Sequence, residues 1–132
     1  MKVSTKARYG FKFMIHLALN YNIKLVQIRE VSVSEKISSK YLEQIAMSFK
    51  IAGLVKVTRG AKGGYTLSRT PKEITLLEII TAAEGNLVLT DCIESSDFCQ
   101  KKDDCIMNKL WVDLNNHITD YLGSKTLQDI IS

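Results

Sequence analysis

Apolar residues recur at helical spacing from the start of the chain. Ala7, Phe11, Met14, Ile15 and Ala18 form one row, and Tyr9, Phe13, Leu17 and Tyr21 form a second. With Ser4 or Thr5 as its cap, this pattern predicts a helix to about Tyr21. A helix apolar on two faces packs against two things, here its own domain and a partner. Lys12, His16 and Asn20 make its polar row, and His16 reads as a solvated surface histidine.

Residues 27–51 read as a helix–turn–helix. QIREVSVSEK gives a short helix with Ile28, Val31 and Val33 apolar, Lys36-Ile37-Ser38 the turn, and Ser38 or Ser39 the cap of the next helix. SSKYLEQIAMSFKIA then buries Leu42, Ile45, Ala46 and Phe49 and presents Ser39, Lys40, Glu43 and Gln44 outward. Those residue types reach phosphates and base edges when a recognition helix enters a major groove. Gly53 sits at the C′ position. LVKVTR alternates as a strand does, GAKGG is a turn, and YTLS is a returning strand closed by Pro71. Two helices followed by a basic hairpin make a winged helix, with Lys56, Arg59 and Lys62 in or beside the wing. No helix start follows the glycines, so a phosphate-binding P-loop is disfavoured.

Thr75-Leu76-Leu77-Glu78 is a capping box opening a helix to about Ala83, stopped by Gly85. From Cys105 to Leu122 a long helix carries Ile106, Leu110, Leu114, Ile118 and Leu122 in one stripe, flanked by Trp111 and Tyr121. A small domain has little for so large a stripe to cover. The expectation is therefore a homodimer, with Ile106, Leu110, Leu114, Ile118 and Tyr121 in the interface. Gly123 ends this helix and Thr126 caps a last short one. The fold class is thus mainly α with a small β-hairpin wing. Residues 1–85 would form a winged helix–turn–helix DNA-binding domain. Residues 86–132 would hold a cysteine loop (91–108), a dimerisation helix (105–122) and a short terminal helix.

Charge sharpens this division. The net charge of +4 hides thirteen Lys or Arg against three acids in residues 1–70, and five against eleven in residues 71–132. The basic half points to a polyanion, double-stranded DNA, and the acidic half to a different task. No run of about 18 apolar residues suggests a membrane span, and the N-terminus has no secretory h-region. A reducing, cytoplasmic setting is expected, where thiols favour metal or redox chemistry over structural disulfides.

All three cysteines, Cys92, Cys99 and Cys105, fall in the polar loop DCIESSDFCQKKDDCIMN. So polar a segment has little to bury, and a soft metal centre would order it. Three thiolates need one further ligand to complete a zinc site or to hold a small iron–sulfur cluster. Inert packing thiols and a Cys99–Cys105 redox disulfide are the other readings, with the cluster favoured. A thiol redox enzyme fits poorly, because there is no C-x-x-C and the surrounding acids raise thiol pKa values. A zinc-stapled protein–protein adaptor fits poorly with the basic N-terminal half.

STKARYG, SSKYLEQI, RGAKGGYTLS, TLLEII and three cysteines before a long helix with LW-x-D-L together resemble the IscR-type bacterial transcription regulators over nearly the whole chain. Nitric-oxide-sensing NsrR and cysteine-metabolism CymR proteins share that frame, and the CymR group typically lacks the cysteine triplet. The resemblance implies a homodimeric DNA-binding regulator, not an enzyme, with an iron–sulfur cluster on Cys92, Cys99 and Cys105 and 2Fe–2S favoured over 4Fe–4S. It places DNA contacts at Thr5, Lys6 and Arg8, at Ser38, Lys40, Tyr41, Glu43 and Gln44, and at Arg59 and Gly60 of the wing, to which the outward face of the recognition helix and the basic wing add Ser39 and Lys62. IscR proteins commonly use a histidine three residues after the last cysteine as fourth ligand, and that position here is Asn108. NsrR-type proteins recruit an acid from the partner's first helix, where Arg8 stands here. The first cysteine gap is one residue longer than usual. The fourth ligand stays open among Asn108, a carboxylate such as Asp103 or Asp104, and an exogenous thiol. The implied function is sensing of iron–sulfur or redox status, controlling cluster-assembly genes. The alternatives are a nitric oxide sensor and a thiol- or zinc-based regulator of cysteine metabolism.

Overall fold

The computed structural model describes residues 3–86 and 106–132. Helix α1 spans Thr5–Leu19, and the Ser4 hydroxyl caps it by accepting from the Ala7 amide at 3.0 Å. It ends before the Tyr21 expected from periodicity, in a turn where Ile23 and Lys24 donate to the Asn20 carbonyl. Helix α2 (Ile28–Glu35) stops at Lys36, whose left-handed φ of 56° turns the chain. Ser38 then caps α3 (Ser39–Ile51) by accepting from the Tyr41 amide at 3.3 Å. Strands β1 (Val55–Thr58) and β2 (Gly64–Leu67) pair antiparallel, with Val55 opposite Leu67 and Thr58 opposite Gly64. A 3-10 turn at Pro71–Glu73 leads to α4 (Leu76–Glu84), which opens on the expected capping box. Thr75 accepts from the Glu78 amide while Glu78 accepts from the Thr75 amide at 2.9 Å. Helix α5 spans Ile106–Ser124 and α6 Leu127–Ile131. Two helices and a hairpin in this order, with a long helix behind them, form the expected winged helix.

The core forms where α1 lies across α3, α4, α6 and β2. Phe13, Met14, Leu17, Leu42, Ile45, Phe49, Ile74, Ile79 and Leu127 are fully buried there. Phe13 stacks beside Phe49 at 6.4 Å between ring centroids and meets Tyr65 edge-on at 5.6 Å. That close approach of α1 to α3 needs Gly10: a Cβ there would stand 2.7 Å from Phe49 Cζ. The wing is fixed from both sides. A Cβ at Gly63 would lie 2.0 Å from the Thr58 carbonyl oxygen, so the turn closes only without one. Val26 and Tyr65 exchange backbone hydrogen bonds at 2.9 and 2.7 Å, adding an edge to the hairpin that alternation along the sequence does not reveal.

One of three further details differs from expectation, the end of α5. Val33 is exposed, because the short α2 turns only Val31 fully inward. Gly123 does not end α5, which runs one residue further, and the next carbonyl, of Lys125, accepts from the Leu76 amide at 2.9 Å. The last helix packs into the winged domain. Thr75 and Thr126 form a bridge, the Leu127 amide donates to Ile74, and the Leu127 side chain enters the core.

Gly10→Ala tests the α1–α3 approach. Helix propensity gains about 1 kcal/mol, whereas overpacking against a buried ring costs about 1–3 kcal/mol. We expect net destabilisation in urea unfolding, and a larger loss for Gly10→Val.

Candidate nucleic-acid interface

The residues expected to face DNA come from three elements, and the fold brings two of them together directly. On α3, Ser38, Ser39, Lys40, Glu43 and Gln44 are exposed, on the side opposite buried Leu42, Ile45, Ala46 and Phe49. Tyr41 behaves differently. It is half-buried, because its ring meets Tyr9 of α1 edge-on at 5.9 Å. Tyr9 also lies beneath two cations, with the Arg8 guanidinium 6.0 Å and the Lys12 ammonium 5.9 Å from its ring centroid. Arg8 is further held by donating to the Thr5 hydroxyl at 3.2 Å. The start of α1, with Thr5, Lys6 and Arg8, is thus held beside the start of α3 by one tyrosine pair.

The wing supplies the third element. Arg59, Gly60 and Lys62 are exposed at its tip, and Gln27 at the start of α2 donates to the Ala61 carbonyl at 3.5 Å. Burial raises the Tyr65 phenol above its ordinary pKa, and the Glu43 carboxylate adds to the rise, so the recognition helix and the wing strand share one electrostatic neighbourhood. Among the described residues Lys40, Arg59 and Lys62 make no salt bridge, whereas Lys12, Lys24 and Arg69 do. Cations without protein partners on an open face suit phosphate oxygens.

Two polar links were not legible in the sequence. His16 is no solvated surface residue: its side chain is only 23 % exposed, and Nε2 lies 3.0 Å from Glu35 Oε1. Lys12 adds a contact to the same carboxylate at 3.6 Å, so α1 grips the end of α2. The Ser4 amide donates to Glu84 Oε1 at 2.7 Å, which ties the start of α1 to the last residue of α4. These pairs are separated by 19 and 80 residues, beyond the reach of any local pattern.

Cys92, Cys99 and Cys105 lie outside the described residues, as do Asp103 and Asp104. Asn108 is described, in the first turn of α5, and its Oδ1 is enclosed without a hydrogen-bond partner. An enclosed amide oxygen lacking a donor is an unmet acceptor, which a cation would satisfy. The chemistry of that atom is compatible with its serving as an oxygen ligand. The dimer-stripe residues are also in view. Ile106, Leu110 and Tyr121 are 84 %, 50 % and 60 % exposed, Leu114 and Ile118 are half-buried, and no residue of α5 is fully buried. None of the described helices is long and apolar enough to cross a membrane.

A recognition helix presented beside a basic wing defines a winged-helix DNA-binding transcription regulator. The chain belongs to the Rrf2 family, whose model, described as an iron-dependent transcriptional regulator, matches residues 3–132. It is 40 % identical over 131 residues to a chain of Neisseria meningitidis provisionally named an HTH-type transcriptional regulator, covering 99 % of this chain and 88 % of that one. It is 34 % identical over 132 residues to the regulator CymR of Bacillus subtilis. The solved structure of that protein, described as the global cysteine regulator, matches with a TM-score of 0.82 over 98 % of this chain and 95 % of that one. The structure of T. potens IscR matches at 33 % identity and a TM-score of 0.80, covering 99 % and 86 %. The named relatives are transcription regulators, not enzymes.

The Glu35 contacts carry a pH prediction. The hydrogen bond from His16 and then the charge of Lys12 hold the Glu35 carboxyl below its usual value of 4.5, against some desolvation. A depressed carboxylate contributes stability that is present above the unfolded value and is lost as pH falls through the folded one. Urea midpoints of the native protein should therefore fall below about pH 4.5, and Glu35→Gln should show a shallower fall over the same range.

Proposed function

We propose that this chain is a homodimeric regulator whose grip on double-stranded DNA follows the state of an iron–sulfur cluster on Cys92, Cys99 and Cys105. One observation carries the reading: three cysteines in a polar segment, set between α4 and α5 of an Rrf2 winged helix. The enclosed, unpartnered Oδ1 of Asn108 supports a fourth ligand there. When bound, such a cluster supplies a redox- and ligand-sensitive centre whose loss changes local charge and order. A 2Fe–2S form is favoured, and the genes controlled would be those of iron–sulfur assembly.

The chain's own residues do the rest. Lys40, Arg59 and Lys62, with Thr5, Lys6 and Arg8, neutralise phosphates, while Ser38, Ser39, Glu43 and Gln44 meet base edges. Tyr41 holds the recognition helix against Tyr9. Ile106, Leu110, Leu114, Ile118 and Tyr121 of α5 pack against a second copy, on its α5 or its α1. The separation of two recognition helices is then set by α5, and it must match half-sites one or more DNA turns apart. The Ser4–Glu84 bond joins the end of α4, where the cysteine-bearing segment starts, to the DNA-facing end of α1. The protein would work in the cytoplasm.

A second reading, control of cysteine metabolism by thiol state or zinc, draws on the likeness to CymR, which is as strong as the likeness to IscR. Anaerobic purification with iron, sulfide and zinc assays separates the two. Iron and sulfide with absorbance near about 400 nm, as thiolate-bound clusters show, are expected. One zinc per subunit, or free thiols alone, would favour the second. The variant with all three cysteines changed to alanine should lose any difference between as-purified and cluster-stripped protein in DNA affinity. Equal affinity of the triple variant and the loaded native protein for every selected duplex would sink the sensing role. Lys40→Ala should weaken binding across sequences alike and reduce the slope of log affinity against log salt by about 1.

A further inference from the structure

The outer face of α3 carries an exposed apolar residue beside its hydrogen-bonding ones. Met47 is 55 % exposed although the same helix buries Leu42, Ile45, Ala46 and Phe49 completely. It stands three residues after Gln44 and four after Glu43, so it continues their row along the helix. Lys40, Glu43, Gln44 and Met47 together line one open concave surface. Ile51, a turn further on and also exposed, does not belong to that surface. Three of the four lining residues are hydrogen-bonding or charged, and the fourth is a flexible, polarisable thioether.

A major-groove edge offers donors, acceptors and a single kind of apolar group, the C5 methyl of thymine. Lys40, Glu43 and Gln44 suit the polar groups. Met47 suits only the methyl. We infer that Met47 is a specificity-determining residue that packs on the C5 methyl of one thymine in each half-site. This rests on α3 being the recognition helix. It adds a dependence on the thymine methyl that none of the polar residues can impose, because deoxyuridine presents the same acceptor as thymidine and lacks only that methyl. A second protein docking on Met47 would have to sit in the same concavity as Lys40, Glu43 and Gln44. That excludes DNA, whereas the inference places DNA there.

The test uses a duplex enriched by the native protein from a randomised pool, with each thymine in turn replaced by deoxyuridine. Burial of one methyl group predicts that replacement at one symmetry-related pair of positions weakens native binding by about fourfold per half-site. Met47→Ala should bind the thymine and deoxyuridine duplexes equally, with an unchanged thermal midpoint, and Met47→Leu should restore the discrimination. Indifference of the native protein to every replacement overturns the inference. So does a Met47→Ala variant that keeps the native penalty. If the native protein enriches no duplex at all, the DNA-binding reading beneath it fails too, an outcome distinct from selective binding without methyl discrimination.

Discussion

The closeness of α1 to α3 at Gly10 is the constraint on which the other placements depend. With only a hydrogen on Gly10, the Phe49 ring reaches α1 and lies beside Phe13. Phe13 in turn holds Tyr65 edge-on, so one aromatic group on α1 sets both the recognition helix and the returning strand of the wing. Each such pair adds about 0.5–1.5 kcal/mol beyond the burial of its surface. The direction of that preference matters more than its size, since edge-on and offset contacts fix the angle at which the rings meet.

A winged helix needs its helix and wing presented at a fixed relation so that both reach one stretch of duplex together. Here the relation is fixed by three contacts of different kinds. Tyr9 and Tyr41 join α1 to α3 near the surface, Phe13 joins them at depth, and the Val26–Tyr65 bridge ties the hairpin to the segment before α2. The cations of α1 are drawn into the same arrangement, since Arg8 and Lys12 rest over Tyr9. Positive charge is thereby held in place at the protein surface instead of swinging freely on long side chains.

Most of the fold was legible because its signals are local. The caps at Ser38, Thr75 and Thr126, the left-handed Gly53 and the row Leu42, Ile45, Ala46 and Phe49 are each read within a few residues, and each stands as expected. What escaped was non-local or too short to have a period. A single pair of bridging residues at Val26 and Tyr65 leaves no alternation to detect. The Glu35 carboxylate finds His16 only after α1 and α2 have packed, and Val33 is exposed because the packing direction of a two-turn helix cannot be told from its composition. The site divides in the same way. The outward residues of α3 followed from the opposite, buried face. The role of Tyr41 as a packing residue needed Tyr9, and the exposure of Met47 needed the packed helix.

The return of the chain to the core at Leu127 has a mechanical meaning. The chain leaves the winged domain after Glu84 and comes back at Lys125, whose carbonyl accepts a hydrogen bond from the Leu76 amide, and Leu127 is driven into the interior beside Ile74. The stretch bearing the three cysteines and α5 is therefore a span clamped at both abutments, not a tail trailing from one. Its two anchors are the ends of α4, one of which holds the first turn of α1 through Glu84 and Ser4.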